Sequence, residues 1–253
     1  MSLAPFLFGR GKRVEQAVKG LESGRRLYAV GDIHGRLDLT QAVIARILAD
    51  LRDYEGQATV VFLGDYVDRG PQSKQVVDFF LSKPLGAVET IYLQGNHEQT
   101  LLQFLYGADV GNALDWFRFG GLATLQSYGV SIKGIPTAKD VEAIRKDFAE
   151  KCPYEHKLFY QSLSLSYSAA QYFFVHAGIK PKRPLDKQTE ADMLWIRDEF
   201  INSERDHGKI IVHGHTVTET AVFKPNRIGL DTGAYSTGNL SCACFENTGY
   251  RLV

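Results

Sequence analysis

The chain has 253 residues, 44% of them hydrophobic and 23% charged, an ordinary globular composition whose core, at this length, buries roughly three quarters of the unfolded surface. Its 29 Lys and Arg balance 29 Asp and Glu, which argues against a dedicated binder of nucleic acid or of a membrane surface, and no apolar run approaches the ~20 residues that span a bilayer. Met1 to Gly9 has neither a basic leader nor a small-residue cleavage site, so no signal peptide is expected, and the three cysteines (Cys152, Cys242, Cys244) cannot all pair internally, which suits a reducing cytoplasm.

In chain order, residues 1–26 carry six basic and two acidic side chains, a basic lead-in expected to be solvated. Leu27 to Val30 then reads as a buried strand that stops at Gly31-Asp32-Ile33-His34-Gly35. A helix is predicted from about Leu39 to Leu51, with Leu39, Val43, Ile47 and Leu51 on one face. The second strand, Thr59 to Leu63, stops at Gly64-Asp65, and a second helix is predicted over about Gln72 to Leu81. The third, Thr90 to Leu93, stops at Gly95-Asn96-His97-Glu98. These polar clusters recur at 33 and 31 residues, about one βαβ unit each, so an α/β fold with a partly parallel sheet is expected.

From about 99 to 160 the strand rhythm stops, and faces such as Val141, Ile144 and Phe148, opened by Thr137 and Asp140, predict a helical insert within a single domain spanning 1–253. Strands resume at Tyr172 to Val175, before His176-Ala177-Gly178, and at Lys209 to Val212, before His213-Gly214-His215-Thr216. Ile228 to Leu230, Leu240 to Phe245 and Tyr250 to Val253, separated by glycine-containing turns, read as a β-meander. Cys242 and Cys244, two apart in a strand, face one side and read as core packing.

In open α/β sheets, ligands bind beyond the carboxyl ends of the strands. Five strands here end there in Asp, His or Asn. Asp32 and His34, at i and i+2, project to one side of an extended chain and can share a cation. Asp65 has two oxygens with which to bridge two ions, and Asn96, His176 and His215 add an amide oxygen and two imidazoles. Such an oxygen and imidazole set without thiolate suits manganese, iron or zinc. His213 reads as a hydrogen-bonded neighbour, and His156 and His207, outside every cluster, as surface residues. Lys180, Lys182 and Arg183 read either as a basic rim that attracts polyanions or as a solvated loop.

Gly31 to Gly35, Gly64-Asp65-Tyr66-Val67-Asp68-Arg69-Gly70 and Gly95 to Glu98 together resemble the three signature blocks of the serine/threonine phosphoprotein phosphatases, a branch of the calcineurin-like metallophosphoesterases. The resemblance covers about Leu27 to Leu240, and the insert and short end look more like the bacterial and phage-type members, diadenosine tetraphosphatases included. It implies an α/β/β/α sandwich with two divalent metal ions, manganese foremost. One would be held by Asp32, His34 and Asp65, the other by Asp65, Asn96, His176 and His215. Arg69 matches the family's phosphate-binding arginine and Arg197 the second arginine of the bacterial branch. His97 matches its proton donor, oriented by Asp68.

The activity implied is hydrolysis of phosphoserine or phosphothreonine in proteins, or of a small phosphate ester, by a metal-activated water. The alternative is hydrolysis of dinucleoside polyphosphates or other nucleotides. A non-enzymatic reading, an inactive scaffold that captures phosphoproteins, would have lost a ligand, His97 or Arg69, and all are present. Neither a G-x-G-x-x-G after a strand nor a G-x-x-x-x-G-K-[ST] occurs, so a Gly-rich nucleotide loop is not expected.

Overall fold

The computed structural model describes residues 20–107 and 109–253. Most of the expected basic lead-in therefore lies outside the described residues. Its last members do not form a solvated tail, because Arg25 and Arg26 open the first strand and Arg26 bonds to Glu246 at 3.0 Å.

Among the described residues ten strands form two five-stranded sheets. They are β1 (Arg25–Val30), β2 (Gln57–Phe62), β3 (Glu89–Tyr92), β4 (Ser166–Ala169), β5 (Tyr172–Val175), β6 (Ile210–His213), β7 (Val222–Phe223), β8 (Arg227–Gly229), β9 (Cys242–Glu246) and β10 (Gly249–Leu252). The first sheet runs β10-β9-β1-β2-β3 and the second β4-β5-β6-β8-β7. Pairing is parallel within β1-β2-β3 and within β5-β6-β8, so five strand ends that carry polar clusters come from the parallel centres of both sheets.

The period of two along each strand makes the layers. In β1, Leu27 and Ala29 face the second sheet with Val61, Phe174, Val212 and Phe245, while Tyr28 and Val30 face α1 (Leu37–Asp50) and α2 (Ser73–Leu81). Each fully buried Phe or Val there contributes roughly 1.5–3 kcal/mol relative to exposure. The predicted helices are thus found within two residues of their expected starts. The stretch expected to be helical holds α3 (Asn96–Leu105), α4 (Val110–Trp116), α5 (Leu122–Ser127), α6 (Val141–Lys151) and α7 (Tyr154–Gln161), packed on the same outer layer through Phe104, Trp116, Phe148 and Tyr160. On the far side, α8 (Glu190–Trp195) and α9 (Asp198–Ile201) cover Phe173, Val175 and Ile211 with Met193 and Phe200. The last helix is α10 (Ala234–Thr237). The result is the expected α/β/β/α sandwich with a helical insert.

The C-terminal β-meander is not observed. β8 adds to the second sheet, parallel to β6, and only β9 and β10 form a hairpin, on the edge of the first. The reason is burial. Ile228 from β8 and Ala243 and Phe245 from β9 enter the inter-sheet core from opposite sides, which a single three-stranded ribbon could not do. Cys242 and Cys244 are free, buried, and packed with the helical layer as expected. No helix among the described residues is long and apolar enough to cross a membrane.

Candidate metal centre and phosphate cavity

The turns after the central strands converge on one buried cluster. Among the described residues nine non-glycine residues have φ in the left-handed region, and five of them are site residues: His34, Asp65, Asp68, Arg69 and His215. Such conformations cost on the order of 1–3 kcal/mol each and persist only where surroundings enforce them. Here the enforcement is visible. The carbonyl of Asp65 accepts from the N–H of His34 at 2.8 Å and of Ile33 at 3.1 Å, and Gly70 N–H donates to His34 O at 3.1 Å. The buried Glu98 carboxylate accepts from the N–H groups of Asp65 (2.9 Å), Tyr66 (2.7 Å), Val67 (3.2 Å) and Gly95 (2.9 Å), clamping the second turn to the third. Because His34 sits in a turn, it does not share the extended chain with Asp32 that the i, i+2 spacing suggested.

All ten expected residues belong to one connected network. The Asp32 carboxylate accepts from His215 N–H at 2.9 Å, and a Cβ on Gly214 would lie 1.9 Å from Asp32 Oδ1, so only glycine lets these two loops meet. His34, Asp65 and His97 place ligand atoms within 4.8 Å of one another, as do Asp65, His176 and His215, so Asp65 is common to both groups. The group around His34 contains His97, whereas Asp32 lies against His215 with Oδ1 buried and unpartnered. His176 Nε2 is 2.9 Å from Asn96 Oδ1, and Arg197 donates to the carbonyl of His215 at 3.2 Å.

The protonation pattern fits cations. His34 and His176 donate from Nδ1 to the carbonyls of Val67 and Leu63, which leaves each Nε2 as a lone pair aimed into the cluster. Burial lowers His34 to about 3 and His215 to about 2, so these imidazoles are neutral ligands at ordinary pH. His176 Nε2 thus faces acceptor oxygens of Asn96 at 2.9 Å and Asp65 at 3.5 Å with no proton to share, an opposition that a cation resolves. Burial, then Asp231 and Asp65, raise Asp32 well above the usual carboxylate range. Three carboxylates packed this closely away from water need positive charge. The donor set therefore fits divalent metal.

Against this cluster lies a cavity of about 400 Å³ whose wall includes Arg69, Asn96, His97, Trp116 and Arg197. Arg69 Nη1 donates to His34 Nε2 at 2.8 Å, and its Nη2 lies 3.2 Å from His97 Nε2. His97 Nδ1 donates to Asp68 Oδ2 at 2.6 Å. Burial opposes protonation of His97, but Asp65 and Asp68 outweigh it and raise it to about 9.

Several members were not singled out from sequence. Asp68 also accepts from Trp116 Nε1 at 2.7 Å and Thr124 Oγ1 at 2.6 Å, both from the helical insert. Tyr235 on α10 lies under the Arg69 guanidinium at 4.9 Å, and Asp231 follows β8 into the carboxylate cluster. Glu98 stands in the third signature block, and its signal was its place at the third position of α3. His156 is not a surface residue: it is buried, with Tyr128 OH 2.7 Å from Nδ1 and Asp78 Oδ1 2.9 Å from Nε2, because α7 turns inward. His207, in the loop between α9 and β6, is half-buried with its ring against Phe200. His213 is the expected bonded neighbour, donating to Gly214 O at 3.0 Å. Of the candidate basic rim, Arg183 pairs with Asp192 and Lys180 lies 3.9 Å from Glu199.

Known proteins share this architecture. A bis(5'-nucleosyl)-tetraphosphatase PrpE of Bacillus cereus (strain Q1) is 26% identical over 227 residues, covering 84% of this chain and 87% of the relative. A solved structure named only provisionally as a diadenosine tetraphosphatase is 25% identical with a TM-score of 0.55, covering 93% of this chain and 94% of that one. A cold-active protein tyrosine phosphatase of a Shewanella species, at 14% identity and a TM-score of 0.59, covers 96% of this chain and 88% of its own and shares the fold alone. The calcineurin-like phosphoesterase family model matches residues 25–252, and with it the strand-end turns, the buried carboxylates and the cavity arginines; the chain belongs to the calcineurin-like phosphoesterases.

Proposed function

We propose that this chain is a dinuclear-metal hydrolase of phosphate esters and anhydrides, acting on dinucleoside polyphosphates. Asp32, His34 and Asp65 hold one divalent ion, manganese foremost, and Asp65, Asn96, His176 and His215 the other. Bound there, the two ions supply a water activated for attack on phosphorus and neutralise phosphoryl charge. Arg69 and Arg197, planar cations reaching the cavity from different elements, hold the equatorial oxygens of the substrate. His97 Nε2 delivers a proton to the departing oxygen while Asp68, bonded to Nδ1, fixes the ring. Asp68 is itself held by Trp116 and Thr124. The free, buried cysteines suit a cytoplasmic setting.

The observation that carries the substrate is the extent of the cavity, about 400 Å³, whose wall includes Phe119 and Trp195 as well as Arg69, His97 and Arg197, more lining than a single phosphoryl group needs. The name borne by the Bacillus relatives, which describes cleavage of dinucleoside tetraphosphates, agrees with it. The three signature blocks favour a second reading, phosphoserine or phosphothreonine in proteins, through the same chemistry. Turnover of diadenosine tetraphosphate by the manganese-loaded protein should exceed that of a phosphoserine peptide. The reverse order would transfer the assignment to proteins, and no turnover of either would sink the hydrolase reading.

A further inference from the structure

The cavity does not end at the arginines. Its wall also carries Phe119 and Trp195, two aromatic side chains that are 66% and 47% exposed, together with Asn112 and Asp115. Large apolar rings left in water beside a polar cavity are an unsatisfied surface, and both rings are tied to a phosphate-facing arginine.

Phe119 stands on the kinked turn 117–121 between α4 and α5. There Gly120, at φ 117°, accepts through its carbonyl from Arg69 N–H at 3.2 Å. A Cβ on Gly120 would lie 2.7 Å from Arg69 N, so glycine is what lets the turn press against the arginine. Trp195 closes α8 two residues before Arg197. Its indole N–H donates to Gln99 Oε1 at 2.7 Å, and Gln99 in turn donates to Glu190 at 2.7 Å, which fixes the ring's orientation. Phe119 therefore neighbours a residue bonded to the Arg69 backbone, and Trp195 stands two residues from Arg197.

We infer that Phe119 and Trp195 form a stacking subsite for one nucleobase of the substrate. The subsite rests on the hydrolase reading above and adds to it the element that selects a nucleotide. His97 lines the same cavity, so a base held there lies in the space that also receives the reacting phosphate. An occupant made only of phosphate leaves the faces of Phe119 and Trp195 uncovered. A planar base suits this lining, offering its face to aromatic carbon and an exocyclic amino group to the Asp115 carboxylate. Asp115 also accepts from Arg118 at 2.9 Å through Oδ1, which leaves Oδ2 for the base.

The test is a selectivity ratio. kcat/KM is measured on diadenosine tetraphosphate and on inorganic tripolyphosphate, which has the anion and no base, for manganese-loaded wild type, Phe119→Ala, Trp195→Ala and Trp195→Phe. The ratio should fall about 5- to 150-fold in each alanine variant, the usual range for one base-aromatic stack. It should be mostly retained in Trp195→Phe, which keeps a stacking face and loses the bond to Gln99. A wild-type ratio in both alanine variants, or equal losses in Trp195→Ala and Trp195→Phe, would overturn the subsite and leave the hydrolase reading intact. Calorimetry of AMP binding to the manganese-loaded chain, in which the phosphate is not repelled by the carboxylates, separates the two readings further. Weaker AMP binding in Phe119→Ala than in wild type supports the subsite even if neither phosphate compound is cleaved, and no AMP binding to manganese-loaded wild type refutes it.

Discussion

The floor and the rim of the site are built on opposite principles. The floor is buried, its backbone is strained at five residues, and its turns are fixed to one another by backbone hydrogen bonds and by the Glu98 carboxylate. The rim is open, aromatic and carried by the helical insert and by α8, outside either sheet. Floor residues need sub-ångström placement because charge must be neutralised at fixed points as it develops. Rim residues need only present a face. The difference predicts that floor substitutions change rate on every substrate or by leaving group, while rim substitutions change which substrate is preferred.

The largest effect expected on the floor belongs to His97. His97→Asn should slow hydrolysis of an alkyl phosphate by about 10²–10⁴-fold, the usual contribution of general acid-base catalysis, and of nitrophenyl phosphate by clearly less. Nitrophenolate leaves almost unaided, whereas an alkoxide needs the proton. Equal losses across a series of aryl and alkyl phosphates, with metal content checked, would mean that His97 holds the site together and delivers no proton.

Arg69→Ala comes next. It removes charge-assisted bonds worth roughly 1.5–3 kcal/mol, or about 10–150-fold in kcat/KM, with metal content unchanged. If the loss were accompanied by loss of metal, Arg69 would be supporting His34, to which it donates at 2.8 Å, instead of binding phosphate.

A smaller effect joins floor to insert. Trp116→Phe deletes one of the donors that hold Asp68 and should give the His97→Asn leaving-group pattern in weaker form, a loss of several-fold on alkyl phosphates. Losses of the same size on nitrophenyl phosphate would point to a collapsed cavity wall and no role in aiming the imidazole.

The smallest is a titration. In metal-free protein the His97 imidazole should titrate near pH 9, and Asp68→Asn should bring it down, as read by NMR. The folded pKa lies above the unfolded value near 6.5, so the stabilisation is complete below about pH 6.5 and is lost as pH rises through about 9. Metal-free wild type should therefore lose on the order of 1–3 kcal/mol of stability across that window. An unfolding free energy that is flat or rises there contradicts the ion pair with Asp68 and Asp65.

The same contrast explains what was legible in the sequence. Floor residues follow short β-branched runs, and each cluster is local, so Asp32, His34, Asp65, Asn96, His176 and His215 could be picked out before any contact was known. The positions of α1 and α2 followed from helical periodicity in the same way. Trp116 and Thr124 reach Asp68 from 48 and 56 residues away, and nothing in their neighbours marks either one. Asp231 follows a three-residue strand whose pairing partner is decided by burial between the sheets, which is also why a meander was expected where β8 crosses to the other sheet. Phe119 and Trp195 belong to none of the sequence clusters, and only the fold brings them to one cavity.

Asp65 is the point on which the floor turns, because both ligand groups contain it. The direct measurement is the metal content of purified wild type and Asp65→Asn, each equilibrated with manganese and freed of excess, by mass spectrometry of the metal. Two bound equivalents are expected in the wild type and fewer than two in Asp65→Asn, a larger deficit than His34→Ala produces. Two full equivalents in Asp65→Asn, or a single equivalent in the wild type under saturating manganese, would contradict a dinuclear centre bridged by this carboxylate.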